Sequence, residues 1–174
     1  MLRGAIEATH LRNDGYDFLG LGYGLERADN TARLIDVKYY VLLPRVDYVG
    51  SEFDNYQWTT LLRAMSAHRA FHWAYGGDVT PAKIADFLIL NAKFPRSLMA
   101  SALAVERHLG HLEQAYGRRT EAQEAAEGLR DALRGLSVEE IIEEGMHEFL
   151  SRVIGQVNRI GGIVHATYLS GEMR

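Results

Sequence analysis

Glu26 and Arg27 stand side by side in the stretch LGLGYGLERADNTARLIDVKYYVLLP, residues 19–44. A guanidinium presents a planar fork of donors that fits a carboxylate or a phosphate. A neighbouring carboxylate can orient such a group or act as a base. The stretch reads as one helix, and successive helix residues point about 100° apart, so the two side chains face different neighbours rather than each other. Asn30 and the i,i+4 pair Asp29–Arg33 extend the polar line. Two readings stay open. In the structural one, Glu26 joins Asn30 and Asp29–Arg33 on a wet edge, and Arg27 bonds carbonyls at a helix end. In the chemical one, Arg27 clamps an anion, with Arg96, Glu106 or His147 as a third polar group. The candidate polar residues are Glu26, Arg27, Asn30, Arg33, Arg96, Glu106, His147 and Glu148.

Other spacings suggest metals. Glu144 and His147 have the Glu-x-x-His spacing of carboxylate-bridged di-iron bundles, and Glu7 and His10 repeat it. Glu26 and Glu106 would complete a ferritin-like ligand count. Glu144 and His147, however, point away from the apolar stripe of their helix, whereas such ligands must project inward. His68 and His72 share a helix face at i,i+4, on the apparent core seam, where two ligands alone are too few and a hydrogen-bonded core histidine is the default. His108 and His111 lie off their seam and read as solvated. No metal or cofactor is therefore assigned from the sequence. Arg96, in FPRS, sits at a helix start where free backbone N–H groups attract anions. Gly15, Gly20, Gly22 and Gly24 follow no strand and so make no dinucleotide fingerprint.

The elements that position these residues read as helices throughout. The long helix runs from about Asp14 to Leu43, with Phe18, Leu21, Leu25, Ala28, Ala32, Ile35, Tyr39 and Leu42 on its main seam. A second apolar line of Leu19, Tyr23, Leu34, Val37 and Val41 makes it two-sided and hence central. Gly20, Gly24 and Ala28 form a small-residue ridge that lets a neighbouring backbone come close. Asp54 and Gln57 have capping-box spacing, starting a second helix whose seam continues through Met65, His68 and His72 to Tyr75. Thr80-Pro81 starts a short third helix, and Pro95 opens a fourth. Thr120/Gln123 and Ser137/Glu140 are two more capping boxes, the last leading into one stripe from Val138 to Val164 that Gly161-Gly162 can kink. The expectation is an all-α, antiparallel helical bundle with a long central helix, a single domain over residues 1–174.

Composition agrees. The 174 residues carry 47% hydrophobic and 24% charged side chains, a net charge of −4 and no cysteine. Disulfides and thiolate metal sites are excluded, and the scattered cations argue against nucleic-acid binding. No apolar run approaches the length of a membrane span, and a cytoplasmic location is expected.

The ordered stretches NDGYDFLGLGYGLERADNTARLIDVKYYVLLP, QWTTLLRAMSA, ADFLILNAKFPRSL and GMHEFL resemble the alpha-E domain family, a bacterial helical family of unknown function with a Glu-Arg motif. The match covers nearly the whole chain and is to the C-terminal half of the longer family architecture. Tyr23-Gly24 depart from the arginine and bulky residue common there. The resemblance implies association with an ATP-grasp ligase and a transglutaminase-like protein. That points to an accessory or docking role in peptide or amide ligation, with an enzyme using Glu26 and Arg27 as the alternative. A missing upstream half would leave one face apolar, so self-association or a partner chain is also expected.

Overall fold

A computed structural model of the chain describes residue 4 and residues 8–41 and 52–170. Among these the regular elements are helical and no strand occurs. The long helix α1, Asp14–Asp36, starts at Asn13, whose side chain accepts from Tyr16 N, and carries Asp14 and Asp17 in its first turn. There they complement the positive end of the helix dipole. It passes into a π-helical turn, Val37–Val41, rather than running as α-helix to its end; Leu42 to Pro44, Glu7 and most of the short N-terminal segment lie outside the described residues.

Helix α2, Glu52–Ala64, and helix α3, His68–Tyr75, are separate. Two expectations are corrected here. Asp54 does not cap α2: it lies inside the helix, buried against Lys38. The seam does not continue from Met65 to Tyr75 either, because Ser66 takes a positive φ of 54° and resets the helical phase. Phe71, not His68 or His72, then enters the core. Helix α4, Pro81–Ile89, begins at Thr80 with Pro81 in its first turn. Helix α5, Leu98–Tyr116, is capped by Ser97, so Pro95 precedes the helix rather than opening it. The capping boxes of helix α6, Glu121–Arg134, and helix α7, Val138–Glu144, are both formed. The expected single last helix is broken at Gly145 (φ 110°). Helix α8, Met146–Val164, then runs on through Gly161 and Gly162 into a second π-helical turn, His165–Leu169.

Helices α1, α5, α6 and α8 form a ring in which each packs on two others. Neighbours alternate in direction: Thr31 of α1 meets Arg96 just before α5, while Gly20 faces His108 near the far end of α5. Asp36 likewise meets His147 at the start of α8, and Phe18 meets Tyr168 just beyond its end. The small-residue ridge of α1 faces α5. A β-carbon on Gly20 would run into the His108 ring, and one on Gly24 would lie 2.8 Å from Val105 Cγ2. Helices α2, α3, α4 and α7 gather at one end of this ring, where Phe71, Tyr75, Phe87 and Phe94 stack in pairs at 4.5–5.6 Å. Aromatic packing of this kind adds to the stabilisation from burial alone.

Candidate functional site

The loop between α4 and α5 is fixed from within. Asn91 Oδ1 accepts from Lys93 N and Phe94 N, at 2.9 and 3.0 Å. Ser97 Oγ donates to Asn91 O and accepts from Ala100 N. This closure presents the carbonyls of Pro95 and Arg96 to α1. Arg27 Nη1 donates to Pro95 O at 2.9 Å, and Thr31 Oγ1 donates to Arg96 O at 2.8 Å. Arg96 in turn reaches across to Met65 O, at the end of α2, with a 2.9 Å bond from Nη1. Three elements are thereby tied around one open cleft of about 430 Å³, lined by Tyr23, Glu26, Arg27, Asn30, Thr31 and Leu34 of α1, Ala64 and Met65, and Pro95 and Arg96.

Its electrostatics follow from those partners. A guanidinium carries five N–H donors. Arg27 and Arg96 each donate to a neutral backbone oxygen, not to a carboxylate. Other arginines of the protein are matched differently: Arg33 forks onto Asp29, Arg119 meets Glu127, Arg130 meets Glu106 and Asp131, Arg152 meets Glu144 and Arg159 meets Glu121. Among the described residues the cleft therefore holds two cations and one carboxylate, Glu26, beside the amide of Asn30 and the hydroxyls of Tyr23 and Thr31. Exposed Leu34 adds an apolar wall. Glu26 also borders a second, smaller cleft with Asp29 and the α8 residues Val157, Asn158 and Gly161.

Of the residues singled out from sequence, Glu26, Arg27, Asn30 and Arg96 share this cleft. Arg33 turns outward to Asp29. Glu106 lies in the α5–α6 groove against Arg130. His147 bonds Asp36 at 2.7 Å, and that bond raises its pKa above the ordinary histidine value. Glu148 folds back against Gly145 at the start of α8. Glu144 is exposed on Arg152, off the interior. His68 and His72 lie near the surface with their Nε2 atoms 3.3 Å apart.

One expectation fails: His108 is not solvated. It is 6% exposed and bonds Asp17 Oδ1 from Nδ1 at 2.8 Å. Its helix is covered on two sides, by α1 and α6, and Gly20 leaves room for the ring. The signals for this were an acid in the first turn of α1 and a glycine three residues later, neither informative until α5 is laid alongside. Lys38 was also missed. It is buried against Asp54, with its ammonium 4.5 Å from the centre of the Trp58 ring. Burial pushes its pKa down, against the opposing pull of Asp54.

No helix among the described residues is long and apolar enough to cross a membrane. No curated protein and no solved structure is significantly similar to the chain. A family model described as a predicted alpha-helical domain with a conserved ER motif matches residues 1–169. The Glu-Arg pair 26–27 on the wall of the cleft fits that description, and the chain belongs to the Alpha-E family.

Proposed function

We propose that the protein is a binding component that receives a carboxylate-bearing peptide or peptide-like segment in the cleft between α1, the end of α2 and the 95–96 turn. The observation that carries this is the pair of guanidiniums, Arg27 and Arg96, held in place by backbone carbonyls with no carboxylate among the described residues bonded to either. A carboxylate ligand supplies the missing anion, and bidentate pairing with an arginine fork gives it orientation. Asn30, exposed on the cleft wall, suits a neighbouring amide, and Leu34 an apolar side chain. In this reading the chemistry belongs to a partner, an ATP-grasp ligase or a transglutaminase-like protein, and the cleft presents the segment to it. The catalytic alternative, with Glu26 as base, draws on the same cleft and on Glu26 lining its wall.

The test is binding of fluorescently labelled tetrapeptides with a free or an amidated C-terminus. The free acid should bind, the amide should bind at least tenfold more weakly, and Arg27→Lys should reduce free-acid binding while leaving helical circular dichroism unchanged. Equal binding of acid and amide would remove the carboxylate from the proposal. Turnover of a bound peptide by the isolated protein, abolished in Glu26→Gln, would favour the catalytic alternative.

A further inference from the structure

At the other end of the α1–α5 pair, three side chains meet: Asp17, His108 and His111. Both imidazoles turn Nδ1 to the same oxygen, Asp17 Oδ1, at 2.8 and 2.9 Å. The three ligand atoms lie within 4.8 Å of one another. Helix geometry explains the convergence: His108 and His111 are three residues apart and so share a face of α5. Asp17 comes from the facing turn of α1, and Gly20 clears the space that the His108 ring fills. We propose that Asp17, His108 and His111 form a divalent transition-metal site, independent of the Arg27 cleft, with an open coordination position on the His111 side.

Two imidazoles and one carboxylate are a donor set for Zn²⁺ or Fe²⁺, with imidazole suiting the borderline ions and oxygen completing the shell. Zn²⁺ bonds of roughly 2.0–2.2 Å separate tetrahedral ligands by about 3.3 Å. The two Nδ1–Oδ1 separations, 2.8 and 2.9 Å, need open by only about 0.5 Å, which side-chain rotation supplies. The ion would replace the protons that the imidazoles now share with the carboxylate. Exposure is graded across the three: the Asp17 and His108 side chains are 11% and 8% exposed, whereas His111 is 50% exposed. Two ligands are held rigidly and the third faces solvent, so water has access to a fourth position. That is the arrangement of a site that binds a further ligand rather than a closed structural one. The aromatic ring of Tyr16 lies beside the site, 5.9 Å from the His108 ring and edge-on to it.

The experiment is calorimetric titration of Zn²⁺ into chelator-stripped full-length protein, with Co²⁺ absorption as a second readout. His68 and His72 make a competing surface pair, so His72→Ala is the control. The expected result is one equivalent bound, a Co²⁺ visible spectrum, and a rise in thermal midpoint on adding metal. His111→Ala, at a half-exposed position, and Asp17→Asn, of the same shape, should each weaken binding at least tenfold. His72→Ala should leave it unchanged. Absence of stoichiometric binding in the unaltered chain overturns the proposal, as does binding that survives both His111→Ala and Asp17→Asn or that disappears with His72→Ala. Should either variant lose its helical circular dichroism, His111→Gln takes its place and is read the same way.

Discussion

Lys38 and Asp54 pair in the interior, each side chain 2% exposed. Removing water from two charges is costly, and their attraction repays that cost only while both are present. Asp54→Ala should therefore destabilise the fold by about 3–5 kcal/mol, by leaving an ammonium buried without a partner. The double change Lys38→Met with Asp54→Leu should recover most of that loss. Urea unfolding of the two variants checks this; equal loss in both would show that packing, not charge, dominates there. Neither partner's role was visible in the sequence. Lys38 stands between Val37 and Tyr39, which both lie on apolar lines, and Asp54 read as a cap because Gln57 follows it at the right spacing. Glu26, Arg27, Asn30 and Arg96 were easier. The first three lie within about one helical turn of one another, so a wheel groups them. Arg96 follows a proline near a helix start, a place where side chains meet other elements.

At the scale of the element, the glycines of α1 separate into two kinds. Gly24 sits 3.6 Å, measured from the position of an added β-carbon, from the backbone of α5, whereas Gly22 has nothing within 4 Å and is exposed. Gly22→Ala should stabilise the protein by up to about 1 kcal/mol through helix propensity alone. Gly24→Ala gains the same propensity but must displace Val105, and overpacking of this kind costs about 1–3 kcal/mol. Thermal unfolding of the two variants should shift in opposite directions. The ridge itself was legible because i,i+4 spacing of small residues has one geometric meaning. The breaks at Ser66 and Gly145 were not. Apolar residues continue at helical spacing on both sides of each, and nothing in residue type marks Ser66 as the place where φ turns positive. The phase change there moved His68 and His72 out of the expected core position and brought Phe71 in. His108 illustrates the converse: its burial comes from a neighbouring helix, which no pattern along α5 reports.

For the molecule as a whole, the periodicity, the caps and the placement of Pro81 led one to expect an all-α antiparallel bundle, and the described residues form one; that four long helices close into a ring with short helices at one end is seen only in the structure. Closure of that ring depends on contacts between its first and last long helices. One of them, His147 on Asp36, is pH-sensitive. Its hydrogen bond raises the His147 pKa above the ordinary 6.5. A raised folded value means the added stability is fully present below about pH 6.5 and is lost as the pH rises through the raised value. His147→Gln should thus be less stable than the unaltered chain near pH 6, and the gap should close on the alkaline side; a gap independent of pH from 6 to 9 would contradict this. His108 acts in the opposite sense: burial lowers its pKa, so the folded state resists protonation and stability falls as the pH drops below the ordinary histidine value.

The close fit of α1 on α5 has a mechanical consequence. The His108 ring fills the notch at Gly20, and Val105 fills the one at Gly24, so the two helices mesh like a rack and pinion with the teeth engaged. Sliding by one residue would drive side chain into backbone at both notches. The Asp17 end and the Arg27 end are thus bolted to a common bar of fixed length, roughly 15 Å at 1.5 Å per residue. Occupancy at one end has no travel to hand to the other. Whatever binds at the two ends should do so as separate events on a shared frame.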